Sequence, residues 1–427
     1  MPSFSVVHGR LIDPLNAIDR ITDLHVRDGR VAAVGAAPRD FAGAAVVDAA
    51  GCLVIPGLVD LAARLREPGQ EYKATLRSEL HAAVAGGVTS LACLPDTDPP
   101  LDEPGLVEML KHRARQLNLA HVYPLGALTA KLAGERLTEM AELTDAGCVG
   151  FSQADVGLVD TQVLYRALQY AATFGFKVWL RPQDPFLSHN GVAHEGEVAT
   201  RLGLPGIPAA AETIALDAML RLVRLSGARV HVCRLSTAEA VEMMRRAKHE
   251  GLPVTCDVAA CHLHLCDVDI GDFNPMMHLV PPLRGRGDRA GLRAGLADGT
   301  VDAVCSDHCP VDDDEKHLPF GESAPGASGL ELLMPLVLKW GREEGRALSE
   351  VVARVTSEPA RVLGCDAGHL SQGAPADLCL VDLEEEYTVS PDALKSQGHN
   401  TPFSGARLKG RVRATWVSGK RVFPFEA

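Results

Sequence analysis

The pattern of hydrophobic and polar positions predicts β-strands near the beginning and the end of the chain, and it has a different period in the middle. Near the start, Asp28-Gly29 separates two short β-rich runs, which is typical of a two-residue hairpin turn. Near the end, Ser418-Gly419 separates two further runs in the same way. We therefore expect the two ends to pair into one small composite β-sandwich domain, formed by residues 1–55 and 366–427.

The middle of the chain, residues 56–365, alternates short apolar runs with amphipathic stretches of helical period. This pattern is typical of a parallel sheet with helical crossovers. The strand candidates are Val54–Asp60, Val88–Leu94, Val122–Ala127, Cys148–Ser152, Val178–Arg181, Val230–Leu235, Val254–Val258 and Val301–Ser306. Eight such strands favour an α/β fold, a (β/α)8 TIM barrel with a β-sandwich from both termini; an open doubly wound sheet is the alternative.

Composition narrows the class of protein. Aromatic residues make up 4% of the chain and hydrophobic residues 46%, so the core must consist mainly of Ala, Val and Leu. A net charge of -13 without a basic stripe argues against nucleic acid as a partner. No apolar run approaches the roughly 18 residues of a membrane helix, and no secretory signal opens the chain. We expect a cytoplasmic protein with reduced cysteines and no membrane partner.

Chemistry in such a barrel lies at the carboxyl ends of the strands. The first strand is followed by Arg66-Glu67-Pro68-Gly69. Other distinctive segments are Leu204-Pro205-Gly206-Ile207-Pro208 with Glu212, Pro281-Pro282-Leu283-Arg284, Asp307-His308-Cys309-Pro310, Gly329-Leu330-Glu331, Glu358-Pro359-Ala360, Ala376-Asp377-Leu378 and Asn400-Thr401-Pro402-Phe403-Ser404-Gly405. Through these segments the chain resembles the dihydroorotase family of the amidohydrolase superfamily over nearly its whole length. The resemblance implies an amidohydrolase-type barrel and, in active members, zinc-dependent hydrolysis of a cyclic amide.

The resemblance also assigns the metal-ligand positions. They carry Ala62 and Arg64 (in place of His-x-His), Gln153 and Ala154 (in place of a carboxylate or carboxylated lysine), Arg181 and Arg234 (each in place of His), and Asp307. Zinc binds neutral imidazole or anionic oxygen and sulfur, whereas arginine is a cation that only donates. A unit charge about 4 Å from the metal site contributes on the order of 4 kcal/mol. We therefore expect no zinc and no catalytic residue, with Asp307 as a vestige.

Positions that contact substrate in the family have changed as well. Asp96 stands where the family has Asn, and Val311 stands where it has His, while Arg66 remains. A carboxylate at position 96 would repel a dicarboxylate such as carbamoyl aspartate or dihydroorotate.

Other interpretations of these residues remain open. A relocated metal site could use His262 and His264 together with nearby cysteines. The arginines at the strand ends could form a structural staple, paired with Asp307, Asp184 or Asp257. Alternatively, together with Arg66, they could form a pocket for a regulatory anion.

The resemblance is closest to non-catalytic dihydroorotase-like chains that assemble with bacterial aspartate transcarbamoylase. It implies a catalytically inactive protein of pyrimidine biosynthesis that acts as a structural subunit for the transcarbamoylase catalytic chains. A hetero-oligomer is expected, and a homodimer is also open. Two alternatives stay: an active dihydroorotase or related cyclic amidohydrolase with a rearranged metal site, and a metal-free anion-binding sensor.

Overall fold

Strands and helices alternate through most of the chain in the structure, a computed structural model that describes residues 3–39, 41, 43–157 and 159–425. The strands are β1 Phe4–Val7, β2 Arg10–Asp13, β3 Ile18–Ile21, β4 Leu24–Arg27, β5 Arg30–Val34, β6 Ala45–Asp48, β7 Leu53–Pro56, β8 Leu58–Ala63, β9 Val88–Cys93, β10 His121–Ala127, β11 Gly150–Ser152, β12 Lys177–Leu180, β13 Ala193–His194, β14 Gly206–Ile207, β15 Arg229–Val232, β16 Val254–Ala259, β17 Ala303–Cys305, β18 Leu378–Thr388, β19 Arg407–Val417 and β20 Lys420–Phe423. The helices are α1 Leu76–Ala85, α2 Pro104–Leu117, α3 Met140–Ala146, α4 Thr161–Phe174, α5 Glu197–Leu202, α6 Ala210–Ser226, α7 Ala238–His249, α8 Arg286–Ala297, α9 Asp313–Lys316, α10 Leu333–Glu343, α11 Leu348–Ala353 and α12 Ser357–Leu363.

Eight parallel strands form the central barrel, in the order β8-β9-β10-β11-β12-β15-β16-β17. The first and last strands meet through a parallel bridge between Ala63 and His308. There the Arg64 amide donates to the His308 carbonyl at 2.9 Å, and the His308 amide donates to the Ala62 carbonyl at 3.0 Å. The predicted (β/α)8 barrel is confirmed, and its closure brings all the carboxyl ends of the strands to one mouth.

The run Val54–Asp60, predicted as one barrel strand, is two strands in different sheets. Strand β7 pairs with β18 and β2, whereas β8 pairs with β9 in the barrel. The chain passes between the sheets at Gly57, whose amide donates to the Asp377 carbonyl at 2.9 Å. A Cβ at position 57 would overlap the side chain of Thr89, so the crossing requires glycine.

Both ends of the chain form the β-sandwich, as predicted. A four-stranded sheet has the order β5-β4-β1-β6, and a six-stranded sheet has the order β20-β19-β18-β7-β2-β3. Apolar side chains from both sheets share one core, in which the rings of Phe4 and Trp416 stack with centroids 5.9 Å apart. Residues from the two ends are therefore neighbours within this domain.

The barrel interior is filled by small apolar side chains around the fully buried Trp179. Ala360, Val362 and Leu363 of α12 belong to the same cluster and cover the amino ends of the strands. Such a packed interior leaves no room for a site inside the barrel, and chemistry in this fold is found at the mouth. Among the described residues, no helix combines the length and apolar composition needed to cross a bilayer.

Candidate site at the barrel mouth

The turns that follow the barrel strands place the site residues. Arg66, Ala154, Arg234 and Asp307 all have positive φ, at 61°, 50°, 53° and 47°. A left-handed conformation costs a residue other than glycine about 1–2 kcal/mol. Each of these residues lies within three positions of the end of a barrel strand, where the turn redirects the side chains that follow. Such strain is concentrated at functional sites in many proteins, and here it shapes the mouth.

Three guanidinium groups converge on the carboxylate of Asp155. Arg181 donates from Nε to Asp155 Oδ1 at 2.7 Å, and Arg234 donates from Nη2 to the same oxygen at 2.6 Å. Arg64 donates from Nη2 to Asp155 Oδ2. Arg181 Nη2 also donates to the Asp155 carbonyl at 3.1 Å. One acid therefore connects the ends of four barrel strands.

Two further carboxylates complete this set of ion pairs. Asp307 Oδ1 accepts from Arg234 Nη1 at 2.9 Å and from Arg64 Nη1 at 3.3 Å. Asp96 Oδ2 accepts from Arg64 Nε at 2.7 Å. We call the six residues the arginine–aspartate cluster: Arg64, Arg181, Arg234, Asp96, Asp155 and Asp307. Three cations face three anions, so the cluster is electrically neutral.

Burial makes these interactions strong. The side chains of Arg64 and Arg181 are 4% exposed and that of Arg234 is 2% exposed, whereas Asp155 retains 33%. Burial by itself raises the pKa of Asp155, but the charges of the three arginines outweigh it and hold that pKa well below its usual range. Burial acts to lower the pKa of Arg234, but Asp155 and Asp307 raise it overall. Both partners therefore stay ionised at neutral pH.

The acid at the centre of the cluster was missed in the sequence. The resemblance assigned the fourth-strand positions to the neutral residues Gln153 and Ala154, and Asp155 follows them directly. Strand β11 ends at Ser152, and the left-handed turn at Ala154 separates the strand from Asp155. The signal available was a carboxylate one residue beyond the position that the resemblance assigned.

Two acids proposed as guanidinium partners bind elsewhere. The Asp184 carboxylate accepts from the backbone amides of Phe186 and Leu187 at 2.9 and 2.8 Å. Asp257 accepts from the backbone amide of Arg234 at 2.5 Å and pairs with the His231 ring at 3.1 Å. Neither carboxylate binds a guanidinium group, because each already accepts hydrogen bonds from nearer donors.

At the other positions that the resemblance assigned to metal ligands, no side chain offers an unoccupied atom that could coordinate a metal at the mouth. Gln153 is buried and accepts from the Thr129 hydroxyl at 2.9 Å, while its amide donates to the Leu132 carbonyl at 2.8 Å. Ala62 contributes its backbone carbonyl to closure of the barrel. The side chain of Ala154 is a buried methyl group.

The residues at the positions that the resemblance assigns to substrate contact are hydrogen-bonded to neighbouring residues. Arg66 donates to the Pro310 carbonyl at 2.9 Å and to Gln70 Oε1 at 3.0 Å, and its Nη2 lies 3.0 Å from Cys309 Sγ. Val311 is buried and its amide donates to Asn400 Oδ1 at 3.0 Å. Asp96 belongs to the cluster through Arg64.

The two histidines proposed for a relocated metal site do not lie on an extended segment. His262 is part of a 3-10 helix, Ala260–Leu263, and its Nε2 is 3.1 Å from the Pro281 carbonyl. His264 follows that helix, and its Nε2 is 2.9 Å from the Leu336 carbonyl. Within the described ranges, no group of three or more His, Cys, Asp or Glu side chains has a metal-binding arrangement.

A cavity of about 150 Å³ lies beside the cluster. Its walls include Arg64, Asp155, His262, Asp307 and Cys309 together with apolar residues. The side chains of Asp155 and Asp307 are 33% and 12% exposed, whereas that of Arg64 is 4% exposed, so the two acids are more accessible to solvent than this guanidinium group. The cavity is smaller than the 300 Å³ or more that is typical of small-molecule sites.

The residues at the mouth do not fit the zinc ion that the family resemblance implies. A catalytic zinc has three protein ligands and one open position. Here the carboxylates of Asp155 and Asp307 accept five hydrogen bonds from guanidinium groups, and arginine cannot replace the missing imidazoles. The cluster presents positively charged hydrogen-bond donors at the place where a zinc ion would need ligands with lone pairs.

Fold and site together define a class of protein. A closed barrel with polar residues at the carboxyl ends of its strands, joined to a sandwich from both termini, is an amidohydrolase-type barrel. The L-hydantoinase from Arthrobacter aurescens is similar, with a TM-score of 0.88 and 25% identity, covering 99% of this chain and 96% of that one. A dihydropyrimidinase from Brevibacillus agri shares the fold at a TM-score of 0.83 and 20% identity, covering 98% and 95%.

Sequence comparison identifies the family within this class. A family model described as Dihydro-orotase-like matches residues 51–240. A dihydroorotase-like protein of Pseudomonas aeruginosa is 44% identical over 417 residues, which is 98% of each chain. A protein of Pelobacter propionicus named dihydroorotase is 41% identical over 418 residues, 98% of this chain and 99% of that one. This chain belongs to the dihydroorotase-like family.

Proposed function

We propose that this chain is a catalytically inactive member of the family and acts as an assembly subunit for aspartate transcarbamoylase. The observation that carries the first part is the arginine–aspartate cluster. Three buried guanidinium groups hold the carboxylates that a metal would need, at the positions where active relatives have histidine. Without a metal ion there is no water of lowered pKa to attack an amide carbon.

The alternative functions receive less support from the same geometry. A hydrolase with a rearranged metal site would need a new ligand set, but His262 Nε2 donates to the Pro281 carbonyl and His264 Nε2 donates to the Leu336 carbonyl. An anion sensor at the mouth would need accessible cations, but the side chains of Arg64, Arg181 and Arg234 are buried and already paired with carboxylates. Arg66, proposed as part of such a pocket, is bonded to its own neighbours.

A binding role is supported by an apolar surface beside the cluster. The loops after the fourth and fifth barrel strands expose large apolar side chains: Val156 at 46%, Val159 at 60%, Phe186 at 74% and Leu187 at 40%. The loops pack together, since a Cβ at Gly157 would lie 2.9 Å from the Gln183 carbonyl oxygen. We call these four side chains the mouth patch. Exposed apolar side chains grouped in this way are typical of protein interaction sites.

The proposal of inactivity is tested by metal content and turnover. The purified chain is incubated with excess zinc, separated from free metal by gel filtration, and analysed by mass spectrometry of the metal. Dihydroorotate hydrolysis and carbamoyl aspartate cyclisation are assayed in parallel, with an active dihydroorotase as the positive control. We expect far less than one zinc per chain and no turnover; stoichiometric zinc with turnover would overturn the proposal.

The assembly role is tested by reconstitution with the aspartate transcarbamoylase catalytic chain from the same source. We expect the two chains to co-elute as a complex larger than either alone in size-exclusion chromatography with light scattering. Phe186→Asp should weaken the complex if the mouth patch contributes to it. Ile21→Asp, which changes a 75% exposed side chain in the terminal domain, is the matched control. Separate elution of the wild-type chains would refute the assembly role.

A further inference from the structure

A second pocket, of about 440 Å³, lies at the opposite end of the barrel from the mouth. Lys111 and Arg115 from the end of α2 form one wall, and His121 and Tyr123 at the start of β10 form another. Ser418, in the turn between β19 and β20, contributes from the terminal β-sandwich. The pocket therefore lies where the barrel and the sandwich meet, and its volume is in the range of small-molecule sites.

The charge of this pocket contrasts with that of the chain. Three basic side chains line it and no carboxylate does among the described residues, although the net charge of the protein is -13. No carboxylate of the described residues forms an ion pair with Lys111 or Arg115. The Lys111 ammonium donates to the Ala146 carbonyl at 3.4 Å. These two cations therefore remain available to a ligand.

The third basic group is held in place by a buried acid. His121 Nε2 lies 3.1 Å from Asp377 Oδ2, and the other oxygen of that carboxylate accepts from the Ser418 amide at 2.6 Å. The Asp377 side chain is 6% exposed and is not part of the pocket wall. Its hydrogen bond raises the pKa of His121, which outweighs the opposing effect of burial. The imidazole thus carries more positive charge at neutral pH than a free histidine.

The floor of the pocket leaves room for the lysine. Gly147 has φ of 110°, a conformation that favours glycine. A Cβ at this position would overlap Lys111 Nζ, so the absence of a side chain lets the ammonium lie over the backbone. Leu119, Val122 and Val149 supply apolar wall beside the charged groups. Cations on one side and apolar surface on the other suit an organic molecule that carries an anionic group.

We propose that this pocket binds a small phosphorylated organic molecule. The phosphoryl group would lie between Lys111, Arg115 and His121, because the charges of the lysine and the arginine match that of a phosphate monoester and the imidazole can donate a further hydrogen bond. The organic part would contact the apolar wall, since a phosphate alone would leave most of the 440 Å³ unfilled. This site is separate from the mouth and does not depend on whether the mouth is catalytic.

Isothermal titration calorimetry on the full chain at low ionic strength tests the proposal, with phenyl phosphate and inorganic pyrophosphate as probes. We expect binding in the micromolar to millimolar range that saturates at one site per chain. Lys111→Met and Arg115→Met should each weaken it at least fivefold, and the double variant should abolish it. Arg166→Met, which removes the same charge from an exposed position on α4, should leave it unchanged.

Thermal unfolding of each variant separates loss of binding from loss of folding. The variants should melt within a few degrees of the wild type when no probe is present, because both side chains are at least partly exposed. Equal weakening in Arg166→Met would indicate attraction to overall positive charge and would overturn the proposal. It would also be overturned if neither probe bound at 10 mM, or if the double variant bound as tightly as the wild type.

Discussion

Replacing Asp155 by asparagine removes the negative charge to which Arg64, Arg181 and Arg234 all donate. The amide keeps the shape and one acceptor oxygen, but three buried cations would then face only the carboxylates of Asp96 and Asp307. Removing one partner of a buried ion pair costs about 3–5 kcal/mol. Because the Asp155 side chain keeps 33% of its surface exposed, water screens part of this interaction, and we expect a loss of about 3 kcal/mol in the free energy of unfolding.

Equilibrium denaturation in urea measures this loss. Far-UV circular dichroism follows the backbone of the whole chain, and tryptophan fluorescence follows the packing around its three tryptophans, including the fully buried Trp179 of the barrel interior. The matched control is Asp217→Asn, which breaks an exposed ion pair with Arg221 on α6, with side chains 50% and 70% exposed. Such a surface pair contributes about 0.3–0.5 kcal/mol. If Asp155→Asn loses no more than the control, the cluster does not stabilise the fold as we argue.

The same substitution has a defined effect at acid pH. The pKa of Asp155 is lowered in the folded state, so its contribution is complete above the unfolded value of about 3.9 and is lost as pH falls below that value. The melting temperature of the wild type should therefore fall more steeply between pH 4 and 2 than that of Asp155→Asn. Parallel curves over this range would contradict the ion-pair assignment.

Three other perturbations test separate features of the fold. Burial lowers the pKa of Lys316 to about 8, so above that pH the unfolded chain binds more protons than the folded one, and the free energy of unfolding should rise from pH 8 to 10. In urea titrations Lys316→Met should flatten this rise. A rise that persists in the variant would contradict the assignment to Lys316. Gly57→Ala should lower stability by about 1–3 kcal/mol by calorimetry, because its Cβ overlaps a neighbouring side chain, whereas Gly105→Ala has open space and should lose nothing. Glu79 and His308 pair at 2.6 Å with both side chains fully buried, so Glu79→Gln should cost about 3 kcal/mol in the same assay; a loss below 1 kcal/mol would show that the pair contributes little.

Much of the architecture is determined locally. Seven of the eight apolar runs overlap a single barrel strand, and the first contributes its second part, because a buried parallel strand needs a nearly continuous apolar run. The turn at Ser418-Gly419 joins strands β19 and β20, since its left-handed backbone suits the twist of the hairpin. The arginines at the strand ends were also visible, because strand ends in a barrel share one mouth.

Tertiary structure alone decided which partners these side chains have. Asp155 binds Arg64 and Arg234, which lie 91 and 79 residues away along the chain, and no local pattern encodes a contact over that distance. The division of one apolar run into two sheets at Gly57 depends on the approach of Thr89 from another strand. The basic pocket at the opposite end of the barrel likewise combines residues of α2, β10 and the final hairpin. Local burial and turn propensities act within a few residues, whereas charge pairing and close packing depend on which strands the closed barrel places side by side.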